Sequence, residues 1–457
     1  MRLPRHIVIT GLIAGWLVAS VLPSVARGAH EPMSLDDQFD ALISEGQPTE
    51  GMNAANGLMA LAAWVRQIAS KVAAERFPTF DPDEFSIASL NDHREAPEDI
   101  MIIRAVLERL VAEGLDERLA EVASSPRWIR GVGGEAVDLM PEREVTKDIR
   151  FIGRLIQARM ILAEERQDWT AWARILDQGL AIAALAGRDV EAIVNLTASA
   201  VESLIIAGPF ARGSASDIRT LDDGTLARLD ASLRAHRVPS LARSLRADRL
   251  TALMYVELIF ERGPAMIEWI EEGGRGPLPP VPAEPPFSAD DPLARGWPTL
   301  DGVREEVNTF YAEALRRLDL TIPALDALPP MSEYSKRSKF LTLGKKSAVV
   351  IGPFPRTLRA GWRTMLALER YQRDHQKYPE SLAELVPTYI EDVTDPGTGK
   401  PLGYLPPSKG PYEGGRAYVL YSSGPDGDDD GGAVNFADPY QVNRDGRDHS
   451  GDFLLNQ

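Results

Sequence analysis

Apolar residues recur every three to four positions along most of the first 275 residues. Leu58, Leu61, Ala62, Val65, Ile68, Ala69 and Val72 make one apolar face, the spacing of an amphipathic helix. Ile103, Val106, Leu107 and Leu110 repeat the pattern within residues 100–112. Residues 149–165 and 169–186 read as an antiparallel helical pair, because the charged joint Glu164-Glu165-Arg166-Gln167-Asp168 is short. Residues 190–207 form another apolar helix, which Gly208-Pro209 is expected to close. Segments 226–235 and 241–262 complete the set, the second capped by Ser240 and stopped by Gly263-Pro264. No period of about 34 residues repeats, and the spaced Trp, Gly, Tyr and Pro signature of tetratricopeptide arrays is missing. The expectation is an all-α helical bundle or stack over 57–275, after a polar lead-in over 27–56.

The pattern then changes. Residues 276–299 are rich in proline, with Pro279-Pro280 and Pro285-Pro286, a composition that no helix or sheet interior accommodates. They read as a linker, followed by a helical and connecting segment over 300–352. From 353 to 457 the signals alternate. Leu358, Trp362, Met365, Leu368 and Tyr371 share a helix face suited to packing on a sheet. Ser381 with Glu384 makes a capping box, and Asp395-Pro396-Gly397 is a turn. Residues 402–405 and 417–421 read as strands of a small antiparallel sheet, with 453–455 as a last edge strand. The fold class expected is therefore multidomain, an N-terminal all-α part and a C-terminal α+β domain with a helix packed on a small antiparallel sheet.

From Leu358 the chain reads LRAGWRTMLALERYQRDHQKYPESLAELVPTYIEDVTDPGTGKPLGY, then RAYVLYSSGPDGDDDGG and FADP. In its order of elements this stretch, about 357–440, resembles the soluble domain of the major pseudopilin of type II secretion systems. The resemblance implies a pilin-like fold and a calcium site in the acidic glycine-rich loop. Asp426 and Asp438 match the family's acidic ligands, with Asp428 and Asp430 between them. The family's prepilin signal and long apolar stalk helix do not precede Leu358, so what is implied is a pilin-like head without its polymerising stalk.

Composition changes the picture at two points. Arg2, Arg5 and His6 precede an apolar run over 7–25, and Ser24-Val25-Ala26 offers small residues for cleavage after Ala26. Residues 1–26 thus read as a signal peptide, which would make the protein extracytoplasmic, periplasmic or secreted. If the segment is not cleaved, it would serve as a membrane anchor. The chain has no cysteine and a formal net charge of −17. That charge disfavours nucleic acid and anionic membrane surfaces and suits a divalent cation.

The loop Ser422–Asp438 holds Asp426, Asp428, Asp429, Asp430 and Asp438 among glycines. Calcium takes six to eight hard oxygen ligands from carboxylates and backbone carbonyls, and glycines let the backbone turn so that carbonyls converge. The competing reading is a solvated acidic turn. An EF-hand does not fit, since position twelve would be Ala437 and no helices flank the loop. A second acidic stretch, Asp445, Asp448 and Asp452, is diluted by Arg444 and Arg447 and reads as a surface turn leading to the last strand; the alternative is that it wraps back and adds a ligand. The six histidines are isolated and form no zinc-ligand pair. Gly131-Val132-Gly133-Gly134 follows no buried strand, Gly344-Lys345-Lys346-Ser347 lacks the first P-loop glycine, and no Gly-x-Ser-x-Gly elbow occurs. Trp128, Trp169 and Trp172 read as packing residues.

No catalytic residues are read from this pattern. The first expectation is an exported, non-catalytic interaction protein with a helical scaffold, a calcium-stabilised pilin-like domain and protein partners. The alternatives are an accessory component of a type II secretion or pilus-like system, and an extracytoplasmic hydrolase with its site in the helical part.

Overall fold

The computed structural model describes residues 34–45, 47–48, 50–76, 97–129, 142–211, 218–271, 279–283, 299–329, 331, 353–412, 415–424, 428–432 and 452–456. Residues 1–33, where a signal peptide is expected, most of the proline-rich segment and residues 340–351 lie outside these. The described chain is mostly helical, with a small three-stranded antiparallel sheet.

Helix α1 (Leu35–Ser44) lies in the lead-in expected to carry no element. Ser34 Oγ caps it by accepting from the Asp37 N–H, at 3.1 Å. Leu42 of α1 is buried, and the Leu42 carbonyl accepts two hydrogen bonds from Arg243. Contacts over 200 residues away in sequence therefore hold a helix whose own composition is polar. The helical body follows as α2 (Ala54–Arg76), α3 (Pro97–Ala112), α4 (Leu115–Ala123), α5 (Glu142–Glu165), α6 (Trp169–Ala186), α7 (Ala192–Ala211) and α8 (Asp223–Ala235). The predicted apolar stripe of α2, Leu58 to Val72, is buried throughout. Helices α5, α6 and α7 pack against one another. Glycine makes the closest approaches possible. A Cβ on Gly153 would stand 2.6 Å from Val201, and one on Gly179 would stand 2.8 Å from Ile156.

Gly208-Pro209 does not close α7, which runs through both residues to Ala211. Pro209 supplies no N–H to the Ile205 carbonyl, and tertiary donors reach the carbonyls on either side of it, Leu204 from Gln157 and Ile206 from Trp362. The Trp362 Nε1–H reaches the Ile206 carbonyl at 2.9 Å. Packing overrides the local stop signal.

Helix α9 (Ala242–Arg262) ends at Gly263, which has φ of 76°, and α10 (Pro264–Glu271) starts immediately after it. Helix α11 (Leu300–Arg317) packs along α9. Leu245, Leu253 and Val256 meet Val303, Val307, Phe310 and Ala314 in a core of their own. The proline-rich segment joins these two halves in sequence, and at its described part the Arg262 guanidinium donates to the Pro279 carbonyl. A short helix α12 (Ile322–Asp326) follows.

The C-terminal unit comprises α13 (Pro353–His375), a 3-10 turn (Leu382–Leu385), β1 (Gly403–Leu405), a second 3-10 turn (Pro407–Lys409), β2 (Val419–Ser422) and β3 (Phe453–Leu454). Strand order is β1-β2-β3, with Gly403 opposite Tyr421 and Ser422 opposite Phe453. Glu384 accepts from the Ser381 N–H at 3.1 Å, as the capping-box spacing predicts. Helix α13 is buried on two sides. One side meets the sheet, where Gly361 lies against Leu455. The other meets α7 and α8, and from it Trp362 also reaches Trp172 of α6, the two rings tilted with centroids 6.0 Å apart. The apolar cluster that starts at Ala54 is therefore continuous with Leu455. Among the described residues no helix is long and apolar enough to cross a membrane.

Candidate metal centre

The acidic loop starts from a strand that a buried carboxylate anchors. Asp395 is fully buried and lies in the D-P-x-x-G-K-P turn. It accepts from the Gly397 N–H at 2.8 Å, from Thr398 Oγ1 at 3.1 Å, and from Thr357 Oγ1 and Ser422 Oγ at 2.5 Å each. Four donors converge on one carboxylate and tie α13, the turn and the end of β2 together. The turn motif therefore sets where the loop after Ser422 begins.

Gly403 then sets the loop's first contact. The Tyr421 ring lies across the strand opposite, so a Cβ on Gly403 would stand 2.1 Å from the ring. Only a residue without a side chain leaves that path open. The Tyr421 hydroxyl donates to Asp429 Oδ1 at 2.8 Å, and Asp429 Oδ1 also accepts from the Gly431 N–H at 3.0 Å. Burial, together with this hydrogen bond, raises the Tyr421 phenol pKa.

The pairing of β3 with β2 carries Asp452 to the same place. Its carboxylate accepts from the Gly432 N–H at 2.6 Å through Oδ2. Asp452 is fully buried, yet its Oδ1 has no hydrogen-bond partner among the described residues. Its pKa is raised, first by desolvation and further by the charges of Asp429 and Asp430, while the Gly432 and Asp430 N–H groups work in the other direction. A buried carboxylate oxygen with no donor beside two more carboxylates is costly. A hard cation beside the unpartnered oxygen would offset that cost.

Of the predicted ligands, Asp428 and Asp430 are exposed on the loop, and Asp426 and Asp438 lie outside the described residues. Among the described residues no three His, Asp or Glu side chains are gathered closely enough to hold a metal ion. The residue that the sequence pattern ranks below the loop aspartates is Asp452, which reads first as part of a surface turn. Its only sequence signal is its place directly before the apolar pair Phe453-Leu454, where edge-strand pairing draws it inward. The donor set is all oxygen, which fits calcium or magnesium rather than a soft metal.

The described histidines stand apart from this site. His236 Nε2 is 3.2 Å from Asp177, and His375 packs against Tyr371 on α13 with ring centroids 4.2 Å apart.

Comparison of the chain with known protein families, with curated proteins and with solved structures finds no match in any of the three. The likeness to pseudopilins rests on the quoted residues alone.

Proposed function

We propose that this chain is an exported, non-catalytic interaction protein whose C-terminal pilin-like unit is stabilised by calcium at the acidic loop. The observation that carries the cation is the orphaned Oδ1 of the buried Asp452 beside Asp429 and Asp430. The scaffold part of the reading is supported by the continuous core through α13, which joins β2, the strand that leads into the loop, to the helical body. Asp452 and the loop carboxylates would bind the ion, and backbone carbonyls freed by the glycines would complete its shell. The ion would lock the loop onto β2 and β3 and hold one surface ready for a protein partner.

The test is thermal melting of the full exported chain in millimolar calcium and in chelator. A ligand at a hundred times its dissociation constant stabilises the state it binds by about 2.7 kcal/mol, which is a rise of a few degrees here. Magnesium should help less, because it requires a tighter octahedral shell. An unchanged melting temperature would leave the loop a solvated acidic turn.

A further inference from the structure

Two carboxylates of the C-terminal unit are held by neighbouring amides. The Gly431 N–H donates to Asp429 Oδ1 at 3.0 Å, and the next N–H along the chain, that of Gly432, donates to Asp452 Oδ2 at 2.6 Å. Both glycines have left-handed backbones, with φ of 71° and 81°, a conformation that costs glycine little. One turn therefore anchors an aspartate of the loop and the aspartate before β3 on amides one residue apart. Asp429 lies out of step with the alternation of Asp426, Asp428 and Asp430, so spacing alone does not mark it.

Tyr421 of β2 fastens the first of these carboxylates a second time. Its hydroxyl donates to Asp429 Oδ1 at 2.8 Å, so two donors take the same oxygen. Among the described residues no hydrogen bond goes to Asp429 Oδ2. Asp429 is exposed, whereas Tyr421 is buried in a cluster with Val419 and Leu454. A residue packed in the sheet thus fixes the rotamer of a loop carboxylate. Burial raises the Tyr421 phenol pKa first, the Asp429 hydrogen bond next, and the charges of Asp429 and Asp452 push the same way. Both carboxylates therefore lie within electrostatic reach of one hydroxyl.

We propose, resting on the calcium site above, that Asp429 is the ion's second carboxylate ligand beside Asp452, and that Tyr421 is the positioning residue that holds it there. Each carboxylate keeps one oxygen in a hydrogen bond with the turn and offers the other to the ion, Oδ2 of Asp429 and Oδ1 of Asp452. Carboxylates that ligate a metal are themselves hydrogen-bonded, and loss of such an outer partner typically costs about 10- to 100-fold in metal affinity. The Tyr421 hydroxyl is that partner here.

Isothermal titration of the chelator-stripped full chain with calcium chloride tests this. Asp429→Asn should bind calcium at least about tenfold more weakly than wild type, and Tyr421→Phe, which keeps the ring, about tenfold more weakly. Combined, the two substitutions should weaken binding no further than Asp429→Asn alone, because the hydroxyl acts through that carboxylate. Tyr412→Phe is the control. Its ring packs on the same cluster, but its hydroxyl donates to the Pro406 carbonyl at 2.6 Å, so its calcium affinity should equal that of wild type. A merely structural Tyr421 hydroxyl would lower the melting temperature in chelator and leave the affinity unchanged. Tyr421→Phe should do the reverse, melting in chelator within about 3 °C of wild type. If Tyr421→Phe fails to fold, Asp429→Asn, at an exposed position, decides. Suppose wild type binds calcium and Asp452→Asn does not, while Asp429→Asn and Tyr421→Phe bind as wild type does. The calcium site would then stand and this ligand assignment would be overturned. Losses that add in the double variant would also overturn it. Wild type that binds no calcium would overturn the site and the assignment together.

Discussion

Arg359 of α13 and Glu202 of α7 form an ion pair with both side chains buried, 8% and 6% exposed. Arg359 also donates to the Leu233 carbonyl of α8. One guanidinium therefore joins the C-terminal helix to two helices of the body, next to the Trp362–Ile206 hydrogen bond. Burial pushes the Glu202 carboxyl pKa up, and the Arg359 charge and hydrogen bond oppose that push. Removing one partner of such a pair leaves a buried charge uncompensated, whereas replacing both can be nearly neutral. Arg359→Met should cost about 3–5 kcal/mol, and Glu202→Met added to it should recover most of the loss. Urea denaturation of the two variants measures this. A double variant as unstable as the single one would show that the pair's geometry, rather than its charge balance, holds the junction.

Asp452 should show opposite signs with and without calcium. Its folded pKa lies above the ordinary value of 3.8, so its contribution is fully favourable below that value and is lost as pH rises through the folded pKa. At neutral pH without a cation, Asp452→Asn removes a poorly compensated charge and should leave the melting temperature equal or higher. In millimolar calcium the wild type should be the more stable protein, and the variant should no longer respond to the ion. Melting both proteins in calcium and in chelator measures the crossing. A variant equally destabilised in both media would make Asp452 a structural acceptor for the Gly432 N–H and nothing more.

Gly403→Ala should destabilise the C-terminal unit, because the new methyl would overlap the Tyr421 ring. Forced repacking of this kind costs about 1–3 kcal/mol. The displaced ring should also release Asp429, so the calcium response should weaken along with stability. Gly415→Ala is the control. Its Cβ would meet nothing within 4 Å, although its φ of 71° adds backbone strain. It should leave the calcium response intact, and an equal loss of response in both variants would separate Gly403 from the loop.

Glu313 of α11 predicts an acid-side dependence in the second core. Hydrogen bonds from Arg316 and then Arg317 lower its carboxyl pKa from 4.5 to about 2. A depressed folded pKa gives stability that is present above the unfolded value and is lost as pH falls through the folded one. The gap in urea midpoint between wild type and Glu313→Gln should be constant above about pH 5.5 and shrink steadily towards pH 3. A gap that does not change with pH would assign the variant's effect to packing against the buried Arg317.

Local features are legible in the amino-acid sequence by itself. The 3.6-residue period places the buried faces of α2, α5 and α6, and the Ser381–Glu384 spacing marks the turn after α13. Alternation and turn residues place the three strands to within two residues. The acidic loop is visible as composition. All of these depend on residues near one another in the chain, where spacing alone sets which side chains share a face.

Only the tertiary structure decided what each face meets. It grouped Ala54 to Leu233 with Leu358 to Leu455 in one core, and Leu241 to Ala314 in another, across the proline-rich segment. It turned Trp362 from the predicted sheet towards Trp172 and Ile206. It also carried α7 through Gly208-Pro209, made a helix of the polar lead-in, and buried Asp452 beside a loop 20 residues earlier. The physical reason is common to all five. The free energy of burying an apolar face or a carboxylate is set by its partners, and here those partners are far away in sequence.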